Sequence, residues 1–565
     1  MKKIRAVTAM LMSMVFGVSA YAEVLGTVAD SKVYNFGAGT YLHNTTFLSD
    51  SGTVGKQTEY YVEYTPNSMA YPIVENGLTV WGTRTITEAA KYIENRGYRP
   101  LIGINGDFFS FQTGIPMGIS ISRGEILTKT DDTLDAVGFL EDGSAFIDKL
   151  AIKTSLKYKG QTVNVECINR WYTKDYTPLC LLTDKFGDKT HTQGECLFLM
   201  CTAIEGRAAL GETMQLRIDD KFEYSGSVNI PEGKTVLMIS KYGNQELYNF
   251  LNSMEKGNIA EIENSAAAGD TKMWEQVQSA IGTVAGRLIE NGKIGGGFEE
   301  GAAPRTAVGV KADGNIIFYV LDGRQSGYSY GARNETIARR LQELGCIEAV
   351  NLDGGGSTAM SGVYPGSTNT VVINSPSDGK LRSCANYIFL QDVRKPTGIV
   401  ESAVFNGNEN RNHMSGTSTA LSFGSLLDTS GCPMNNLGEA KLEIINGEGS
   451  NSYLDKDDVL KFEGNGTVTV QIVNTDGSVV KGDVYQVFSE PESMKIYNEN
   501  TWKEISEIYL KQGEMRTINL EAAPYIGTTE LHSQDGVFEW SVVGDIGTVD
   551  EMGVYTAKTT GDKAG

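Results

Sequence analysis

Residues 349–360 read AVNLDGGGSTAM, and this stretch constrains the fold more than any other part of the chain. An apolar segment typical of a buried strand ends at one carboxylate, Asp353, which is followed by Gly354, Gly355 and Gly356. Consecutive glycines lose much conformational entropy on folding, so they indicate a turn with positive φ or a closely approached backbone. The stretch predicts a strand that ends in a tight loop, against which another strand or a ligand packs.

Two other apolar strands end in the same way. PLIGINGDFF (100–109) reaches Asp107, and IIFYVLDGRQSG (316–327) reaches Asp322. A single aspartate at such a place is commonly an Asx-turn or a helix cap. Three strand ends with one layout favour a shared site, because ligands collect beyond the carboxyl ends of parallel strands.

Helical and extended patterns alternate between residues 23 and 395. TITEAAKYIENRG (85–97) and RNETIARRLQELGC (333–346) have apolar residues at helical spacing, and Asn334 and Gly345 are expected to cap the second helix. A strand–helix–strand order of this length implies a partly parallel sheet. The sequence therefore predicts an α+β catalytic domain at 23–395, with a mixed β-sheet flanked by helices.

Beyond Pro396 the pattern changes to short alternating strands between Gly, Asn and Asp turns, which is typical of a β-sandwich. We expect a β-rich Ig-like module at 396–490 and a bacterial Ig-like module at 491–565. The phrase GTVDEMGVYTA (547–557) resembles such modules, which normally finish with one more strand, so the second module is expected to be truncated. The predicted C-terminal fold is all-β Ig-like sandwich modules.

The N-terminal segment has the pattern of a secretory signal peptide. MKKIRAVTAMLMSMVFGVSAYA (1–22) combines basic residues, an apolar core and an A-x-A site, so cleavage is expected after Ala22. A membrane anchor is the alternative, but the apolar run is short for a bilayer span. We expect no transmembrane segment, and we expect the mature protein to be secreted or associated with the cell surface.

Length, charge and cysteine content narrow the function classes. The 565 residues are too many for one domain, and 49 Lys+Arg against 70 Asp+Glu give a net charge of −21. Nucleic acid is therefore not an expected partner, because its phosphates require clustered basic charge. Of the seven cysteines, Cys167, Cys180, Cys196 and Cys201 are close in sequence, so one or two disulfides are expected there with the pairing left open.

Three arginines lie near the acidic strand ends in sequence. Arg305 precedes a strand in AAPRTAVGV (302–310), Arg324 follows Asp322 by two positions, and Arg382 lies in DGKLRSCAN (378–386). The planar guanidinium suits bidentate recognition of phosphate, although each arginine could equally form a structural ion pair with a nearby aspartate.

Other kinds of site find less support. GGSTA (355–359) approaches a nucleophile elbow around Ser357, but a serine hydrolase needs a base, and the chain has four histidines, two of them in the β-rich tail. The same scarcity disfavours a zinc site, and no EF-hand spacing occurs. We expect no metal at the site and no cofactor, although a structural cation among the acidic loops stays open.

The chain resembles the phosphodiester glycosidase family over most of residues 60–390. The resemblance depends on five motifs in a fixed order, namely GINGDFF (103–109), PRTAVGVKADGNIIFYVLDGRQSGYSYG (304–331), LQELGC (341–346), AVNLDGGGSTAM (349–360) and INSPSDGKLRSCAN (373–386). One departure is Ala303, where the family commonly has a basic residue before Pro-Arg-Thr. This difference affects only a peripheral contact.

The resemblance implies hydrolysis of a sugar-1-phosphodiester of the N-acetylglucosamine type, which releases the sugar and leaves a phosphomonoester. The expected substrate is a sugar-1-phosphodiester or a phosphate-linked glycan of cell-envelope or exopolysaccharide material. Cleavage at the anomeric carbon passes through an oxocarbenium-like transition state that a carboxylate stabilises. The candidate catalytic residues are Asp353, Asp107 and Asp322. The candidate substrate-binding residues are Arg305, Arg324, Arg382, Asn105, Thr306, Asn351, Gly354, Gly355, Gly356 and Ser357.

Two other functions remain alternatives at this stage. One is a serine esterase that uses Ser357 as nucleophile. The other is a non-catalytic surface protein that binds carbohydrate and contacts the cell wall through its Ig-like modules. The sequence does not decide the sugar, the alcohol beyond the phosphate, retention or inversion, or the oligomeric state.

Overall fold

The computed structural model describes residues 24–48, 55–172, 177–298, 301–364, 367, 369–406, 410–509 and 516–558. The predicted signal peptide lies outside them. The described residues form two compact units. The first unit contains those up to Tyr364 together with Asn369–Arg394, and the second contains Ser367 and those from Lys395 onward. No helix in the described ranges is long and apolar enough to cross a membrane.

Strands dominate the first unit. Its elements are, in chain order, β1 (Thr27–Gly37), β2 (Thr40–Leu48), β3 (Lys56–Tyr64), β4 (Ala70–Glu75), α1 (Ile86–Glu94), β5 (Arg99–Asn105), β6 (Ser120–Ser122), β7 (Glu125–Thr128), β8 (Leu134–Phe139), β9 (Ala145–Leu150), β10 (Ile152–Tyr158), β11 (Gln161–Asn164), β12 (Cys167–Ile168), β13 (Cys180–Thr183), β14 (Glu195–Glu205), β15 (Thr213–Ser225), β16 (Lys234–Ser240), α2 (Gln245–Asn252), β17 (Ile259–Ala266), α3 (Thr271–Trp274), β18 (Ser279–Thr283), β19 (Arg287–Glu290), β20 (Lys293–Ile294), β21 (Arg305–Lys311), β22 (Ile316–Leu321), α4 (Asn334–Glu343), β23 (Cys346–Asn351), β24 (Met360–Gly362), β25 (Val371–Val372) and β26 (Tyr387–Asp392).

These strands form four sheets. Two sheets have eight strands, in the orders β1-β2-β3-β22-β21-β23-β19-β20 and β11-β10-β17-β15-β14-β16-β13-β12. Two have five strands, in the orders β7-β6-β18-β8-β9 and β25-β24-β5-β26-β4. Among the described strand pairs of this unit, only β12 and β13 run parallel.

The predicted fold class, an α+β domain with a mixed sheet flanked by helices, is wrong. Strands make up 49% of the structure and helices 7%, so there is too little helix to cover the sheets. The predicted β22–α4–β23 order is present, but β21 lies between the two strands and pairs antiparallel with both. The sequence pattern predicted the strand, helix and strand in this order, but it did not indicate that β21 lies between β22 and β23 in the sheet.

The two predicted helices begin and end close to the expected residues. Thr85 caps α1, where its hydroxyl accepts from the amide of Glu88 and the Glu88 carboxylate accepts from Thr85 in return. The cap of α4 is Arg333 without a side-chain bond, and Asn334 is its first helical residue, so the predicted asparagine cap is wrong. Gly345 follows α4 with φ of 91°, a conformation that glycine adopts without strain.

The order of these strands explains where a site can form. β22 and β23 both pair antiparallel with β21, so both end at the edge where β21 begins. Asp322 and Asp353 follow these two ends, and Arg305 and Thr306 start β21. A core joins this sheet to the sheet of β5, with Val308, Val320 and Val350 in one cluster with Ile102, Ile104 and Ile388. Each fully buried side chain of this kind contributes about 1.5–3 kcal/mol.

The second eight-stranded sheet comes from the segment between β9 and β18. It carries a disulfide between Cys167 and Cys180, so the prediction of a disulfide among the clustered cysteines is confirmed for one pair. Cys196 and Cys201 are buried as free thiols. Lys129 lies fully buried beside this sheet, where its ammonium donates to the carbonyl oxygens of Val165 at 2.6 Å and Glu166 at 3.1 Å.

All the described elements of the second unit are strands. In chain order they are β27 (Val400–Asn406), β28 (Asn412–Met414), β29 (Ser418–Ala420), β30 (Ser422–Asp428), β31 (Lys441–Asn446), β32 (Tyr453–Leu454), β33 (Val459–Lys461), β34 (Gly466–Val473), β35 (Val479–Phe488), β36 (Ser493–Asn498), β37 (Lys503–Glu504), β38 (Thr517–Ile526), β39 (Thr529–Glu530), β40 (Gly547–Val549) and β41 (Val554–Ala557).

Four sheets order the strands of this unit. They are β27-β30, β28-β35-β34-β31, β29-β33-β32, and a sheet in the order β37-β36-β38-β41-β40 with β39 paired to β38. The Ig-like identity of these modules stays a prediction, as do the boundaries proposed at 396–490 and 491–565.

The disulfide should stabilise the second eight-stranded sheet, which we call the inserted sheet because its strands, β10 to β17, lie between β9 and β18 in the chain. Cys167 and Cys180 are 13 positions apart, and removing a crosslink over a loop of this size costs about 3 kcal/mol in the chain-entropy account. We therefore expect Cys167→Ser/Cys180→Ser to lower the unfolding temperature of the first unit in scanning calorimetry. A reductant should lower the wild-type value to that of the variant and leave the variant unchanged. Equal values for oxidised wild type and variant would contradict this.

Candidate functional site

The loop after β23 forms one turn of 3₁₀-helix at Gly355–Ser357. Gly355 has φ of +62°, and a side chain there would be strained. Its amide donates to the carbonyl oxygen of Pro304 at 2.9 Å, and the amide of Asp353 donates to Gly106 at 3.0 Å. The glycine loop is thus tied to the start of β21 and to the end of β5.

Asn105 connects the same segments through its side chain. Its Nδ2 donates to the carbonyl oxygen of Asp353 at 2.6 Å. Its Oδ1 accepts from the hydroxyl of Thr306 at 2.7 Å and from the amide of Ala359 at 3.0 Å. Asn105 and Thr306 were both predicted to bind substrate. In the structure both side chains are fully buried, and their hydrogen bonds hold the glycine loop in place.

Asp107 lies behind the loop and is fully buried. Its Oδ2 accepts from the amide of Gly118 at 2.6 Å, while its Oδ1 has no hydrogen-bond partner of good geometry among the described residues. Burial raises the pKa of Asp107 to about 7, and the nearby charge of Asp353 acts in the same direction. The amides of Gly118 and Phe108 partly oppose this shift.

Two residues that support Asp107 were not singled out from the sequence. Asn386 accepts from the amide of Asp107 at 2.9 Å through Oδ1, and a methyl group on Gly106 would lie 2.2 Å from that oxygen. Arg170 donates to the carbonyl oxygens of Pro116, Met117 and Gly118. Burial lowers the pKa of Arg170 to about 10, and its charge lowers the pKa of Asp107.

Asp353 is the partly exposed carboxylate of the site. Burial raises its pKa to about 6, and the Ser357 hydroxyl, the charge of Arg382 and the amide of Gly354 oppose that shift. A carboxylate with these neighbours is ionised at neutral pH and can act as a nucleophile or a base. Ser357 itself is nearly inaccessible and has the guanidinium of Arg382 at 3.4 Å from its hydroxyl.

Asp322 has a different environment. Its Oδ1 accepts from Asn374 at 2.8 Å, and its Oδ2 accepts from the amide of Ser375 at 2.9 Å and from the hydroxyl of Tyr328 at 3.0 Å. Burial raises its pKa to about 6. Asn374 also donates to the carbonyl oxygen of Thr358 at 3.2 Å. The carboxylate thus joins the loop after β22 to the segment after β25, and Asn374 extends this link to the loop after β23.

The three arginines differ in their partners. Arg305 is buried and donates to the carbonyl oxygens of Ala332 at 3.0 Å and Gly301 at 2.9 Å. Arg382 donates twice to Asp378 Oδ2, at 2.7 and 3.0 Å, and this pair lies against Gly356. A methyl group there would lie 2.1 Å from the guanidinium, so a side chain at this position would require the Arg382–Asp378 pair to shift.

Arg324 is exposed, in a left-handed conformation with φ of 58°. Its guanidinium lies over Gly355, so that a methyl group on that glycine would be 3.0 Å from Nη1. Within the part of the chain that the structure describes, this guanidinium has no hydrogen bond or ion pair. It is the arginine of the three whose charge faces open space beside the glycine loop.

The remaining predicted residues lie around the same edge. Asn351 is buried, its carbonyl oxygen accepts from Thr283 at 2.9 Å, and its side-chain Oδ1 has no partner among the described residues. Phe111, which the sequence analysis did not select, is 81% exposed with its ring centre 5.7 Å from the Arg382 guanidinium. No group of three metal-ligating side chains occurs in the described ranges.

The two histidines that could have served Ser357 as a base have other contacts. His43 stacks on Tyr61 with ring centres 4.3 Å apart, and His191 stacks on Trp81 at 3.7 Å. Burial lowers the pKa of both. Neither is a hydrogen-bond partner of Ser357 among the described residues, so neither histidine is placed to act as its base.

Asp107 should make stability fall as pH rises. Its pKa of about 7 in the folded chain lies above its ordinary value of 3.8, so the folded state keeps a proton that the unfolded state releases between these pH values. The difference corresponds to at most about 4 kcal/mol. Asp107→Asn retains an acceptor for the Gly118 amide, and we expect its unfolding temperature relative to wild type to rise from pH 4.5 to 7.5.

The comparison is measured as variant minus wild type, because Asp322 and Asp353 also have raised pKa values. Asp313→Asn, in the exposed turn between β21 and β22, is the control and should show no trend. A difference for Asp107→Asn that is constant across this pH range would show that its carboxyl ionises normally.

Comparison with known families and structures supports part of the sequence analysis. Residues 219–391 match the model of the family described as phosphodiester glycosidase. The predicted resemblance is confirmed for this segment, which contains Arg305, Asp322, Arg324, Asp353 and Arg382. The GINGDFF motif lies before it. None of the curated proteins matches the chain.

The solved structures that are similar to this chain include the following three, all at low identity. A hypothetical protein from Synechocystis is 18% identical with a TM-score of 0.51, and 64% of each chain is covered. A protein from Burkholderia pseudomallei K96243 described as exported is 18% identical with a TM-score of 0.47, covering 61% of this chain and 75% of that one. The zebrafish N-acetylglucosamine-1-phosphodiester alpha-N-acetylglucosaminidase catalytic domain, auto-inhibited by its pro-peptide, is 14% identical with a TM-score of 0.33, covering 64% and 87%.

The Synechocystis structure shows a likeness of fold alone. The present chain spans 64% of the length of that protein, so no activity follows from the likeness.

Proposed function

We propose that this chain hydrolyses the sugar–phosphate bond of a sugar-1-phosphodiester, of the N-acetylglucosamine-1-phosphodiester type. One observation carries the proposal. The guanidinium of Arg324, which has no hydrogen bond or ion pair among the described residues, lies over Gly355, two residues after the partly exposed Asp353. A cation over the glycine loop and a carboxylate at the start of that loop suit a substrate whose phosphate must be held while its anomeric carbon is attacked.

The phosphate would lie on the glycine loop. The amides of Gly355 and Ser357 already donate to Pro304 and Gly354, which leaves the Gly356 amide as the backbone donor for a phosphate oxygen. Arg324 supplies the charge-assisted bonds, and the missing side chain at Gly355 leaves the space between the loop and this guanidinium open, whereas Gly354 and Gly356 lie against Pro304 and the Arg382–Asp378 pair. Arg382, held by Asp378, adds positive potential without giving up its own ion pair.

The chemical step is assigned to Asp353. Its carboxylate stabilises the oxocarbenium-like transition state, either as a nucleophile or as the base for an attacking water. The bond from the anomeric carbon to oxygen breaks, and the electron pair leaves with the phosphate, which is a stable anion and needs little help from a general acid. Asp107, which is fully buried, acts as a positioning residue for the β5 end and the glycine loop.

The setting of the reaction is also part of the proposal. The signal-peptide pattern and the Cys167–Cys180 disulfide both support a protein that is secreted or held at the cell surface. We infer a phosphate-linked glycan of the cell envelope or of an exopolysaccharide as the substrate. A cell-wall contact through the second unit remains a proposal.

Turnover of a sugar-1-phosphodiester tests the reaction class. The full chain should release free N-acetylglucosamine from UDP-N-acetylglucosamine or a simpler α-N-acetylglucosamine-1-phosphodiester, measured by chromatography. Asp353→Asn should lower kcat by at least about a thousandfold, because the attacking or stabilising carboxylate is lost. Asp313→Asn, an exposed aspartate on a turn, is the control and should retain full activity. Undiminished release by Asp353→Asn would refute the assignment.

Arg324 should act mainly on binding of the phosphate. Losing one charge-assisted contact costs about 1.5–3 kcal/mol, so Arg324→Ala should reduce kcat/KM by roughly 10–150-fold, with most of the change in KM. Arg339→Ala, which removes an exposed arginine paired with Glu335 on α4, is the matched control and should behave as wild type. Equal kinetics for the two variants would place the phosphate elsewhere.

A further inference from the structure

The second unit contains a cavity of about 360 Å³ beside the sheet of β36 and β38. Two aromatic residues, Tyr497 and Trp502, line it together with the carboxylates Glu521 and Glu530, and Asn410 and His532 complete the wall. Its volume falls within the roughly 300–1,000 Å³ typical of sites for small ligands.

One wall of this cavity is rigid because its side chains are connected. Tyr497 pairs directly with Glu521 across β36 and β38, so both side chains lie on the same face of the sheet. The hydroxyl of Tyr497 is 3.3 Å from that of Tyr525, which in turn donates to Glu530 at 3.0 Å. The ring of Tyr497 and the carboxylate of Glu530 are therefore held by one chain of hydrogen bonds.

Trp502 lies at the cavity in a conformation that is unfavourable when no ligand is bound. Its side chain is 68% exposed, and its backbone has φ of 51°, which is rare for a bulky residue. The Asn498 carbonyl oxygen fixes this turn by accepting from the Trp502 amide at 2.8 Å. Both the exposed indole and the left-handed backbone are unfavourable by themselves. A ligand that covers the ring would offset the exposure.

Glu521 supplies a free acceptor. Its side chain is half-buried, and within the described ranges its carboxylate has no hydrogen bond or ion pair. Burial raises the pKa of Glu521, and the charges of Asp535, Glu499 and Glu530 add to this shift. The surroundings of the cavity are thus acidic, and they repel an anion such as a phosphodiester.

We propose that this cavity binds a neutral glycan, with the Trp502 ring against the apolar C–H face of one sugar. Ring hydroxyls of that sugar donate to the free acceptors of Glu521 and Glu530, which as carboxylates can each take several such bonds. The Trp502 ring provides an apolar contact for the C–H face of the sugar, which polar side chains do not provide. The site is independent of the proposed hydrolysis, because its acidic wall excludes the phosphate that the glycine loop would hold.

Binding of neutral oligosaccharides to the full chain tests this site. The probes are tetrasaccharides of N-acetylglucosamine, glucose, mannose and xylose, titrated by calorimetry. We expect at least one to bind, and Trp502→Ala to weaken it at least about tenfold, because the ring contact is lost. Trp502→Phe should retain most of the affinity. Tyr453→Ala, which removes another exposed aromatic ring of the same unit, should bind as wild type.

Substitution at Glu521 separates a glycan site from a cation site. Glu521→Gln keeps an acceptor and should lose less than about threefold in affinity, whereas Glu521→Leu should lose more than tenfold. If none of the four tetrasaccharides binds, or if Trp502→Ala binds as wild type, the proposal is wrong. Binding of hexylamine or of de-acetylated glucosamine tetramer without binding of a neutral one would instead show an ammonium site and would also overturn it.

Discussion

The rest of the site depends on the hydrogen bonds that the side-chain amide of Asn105 forms. It bonds at once to the Asp353 carbonyl, the Thr306 hydroxyl and the Ala359 amide. These belong to the loop after β23, the start of β21 and the segment before β24. A buried amide that uses both ends in this way is costly to replace, because each lost bond leaves another buried polar group unpaired. These bonds add to the hydrophobic core that joins the two sheets.

Three aspartates that look alike in sequence are separated by their surroundings. Asp107 is fully buried beside the Gly118 amide, Asp322 is saturated by three donors, and Asp353 keeps a partly exposed carboxylate. Burial raises the pKa of each, most for Asp107. In the proposed site Asp353 is the one of the three that meets the substrate, and the other two shape the loops around it. The environment, more than the residue type, distinguishes a reacting group from a structural one.

Much of this site could be predicted because local signals mark it. An apolar strand that ends in Asp and Gly is visible at Asp322 and Asp353, and the Pro-Arg-Thr start of β21 is equally local. Asn386, Arg170 and Asn374 were missed, because each acts on a segment that is distant in the chain. Asn374 and Asn386 lie in the motif at 373–386, but the motif does not indicate which residues they bond to.

The fold class failed for a related physical reason. Strands β22 and β23 with α4 between them predict neighbouring parallel strands, and nothing local shows that β21 enters between them. The segment between β9 and β18 adds eight strands and the short helices α2 and α3, which makes the first unit mostly β. Antiparallel pairing between distant segments is set by the whole chain, so a pass along the sequence identifies strands better than sheets.

The bond between Asn105 and Asp353 joins residues 248 positions apart. Contacts of such high sequence separation form late, because the entropy of closing the chain is lost before any bond repays it. During synthesis at roughly 5–20 residues per second, the end of β5 would wait on the order of ten to fifty seconds for its partner. The inserted sheet, whose strands all lie between residues 152 and 266, is synthesised before that partner and has time to fold before the two halves of the site meet.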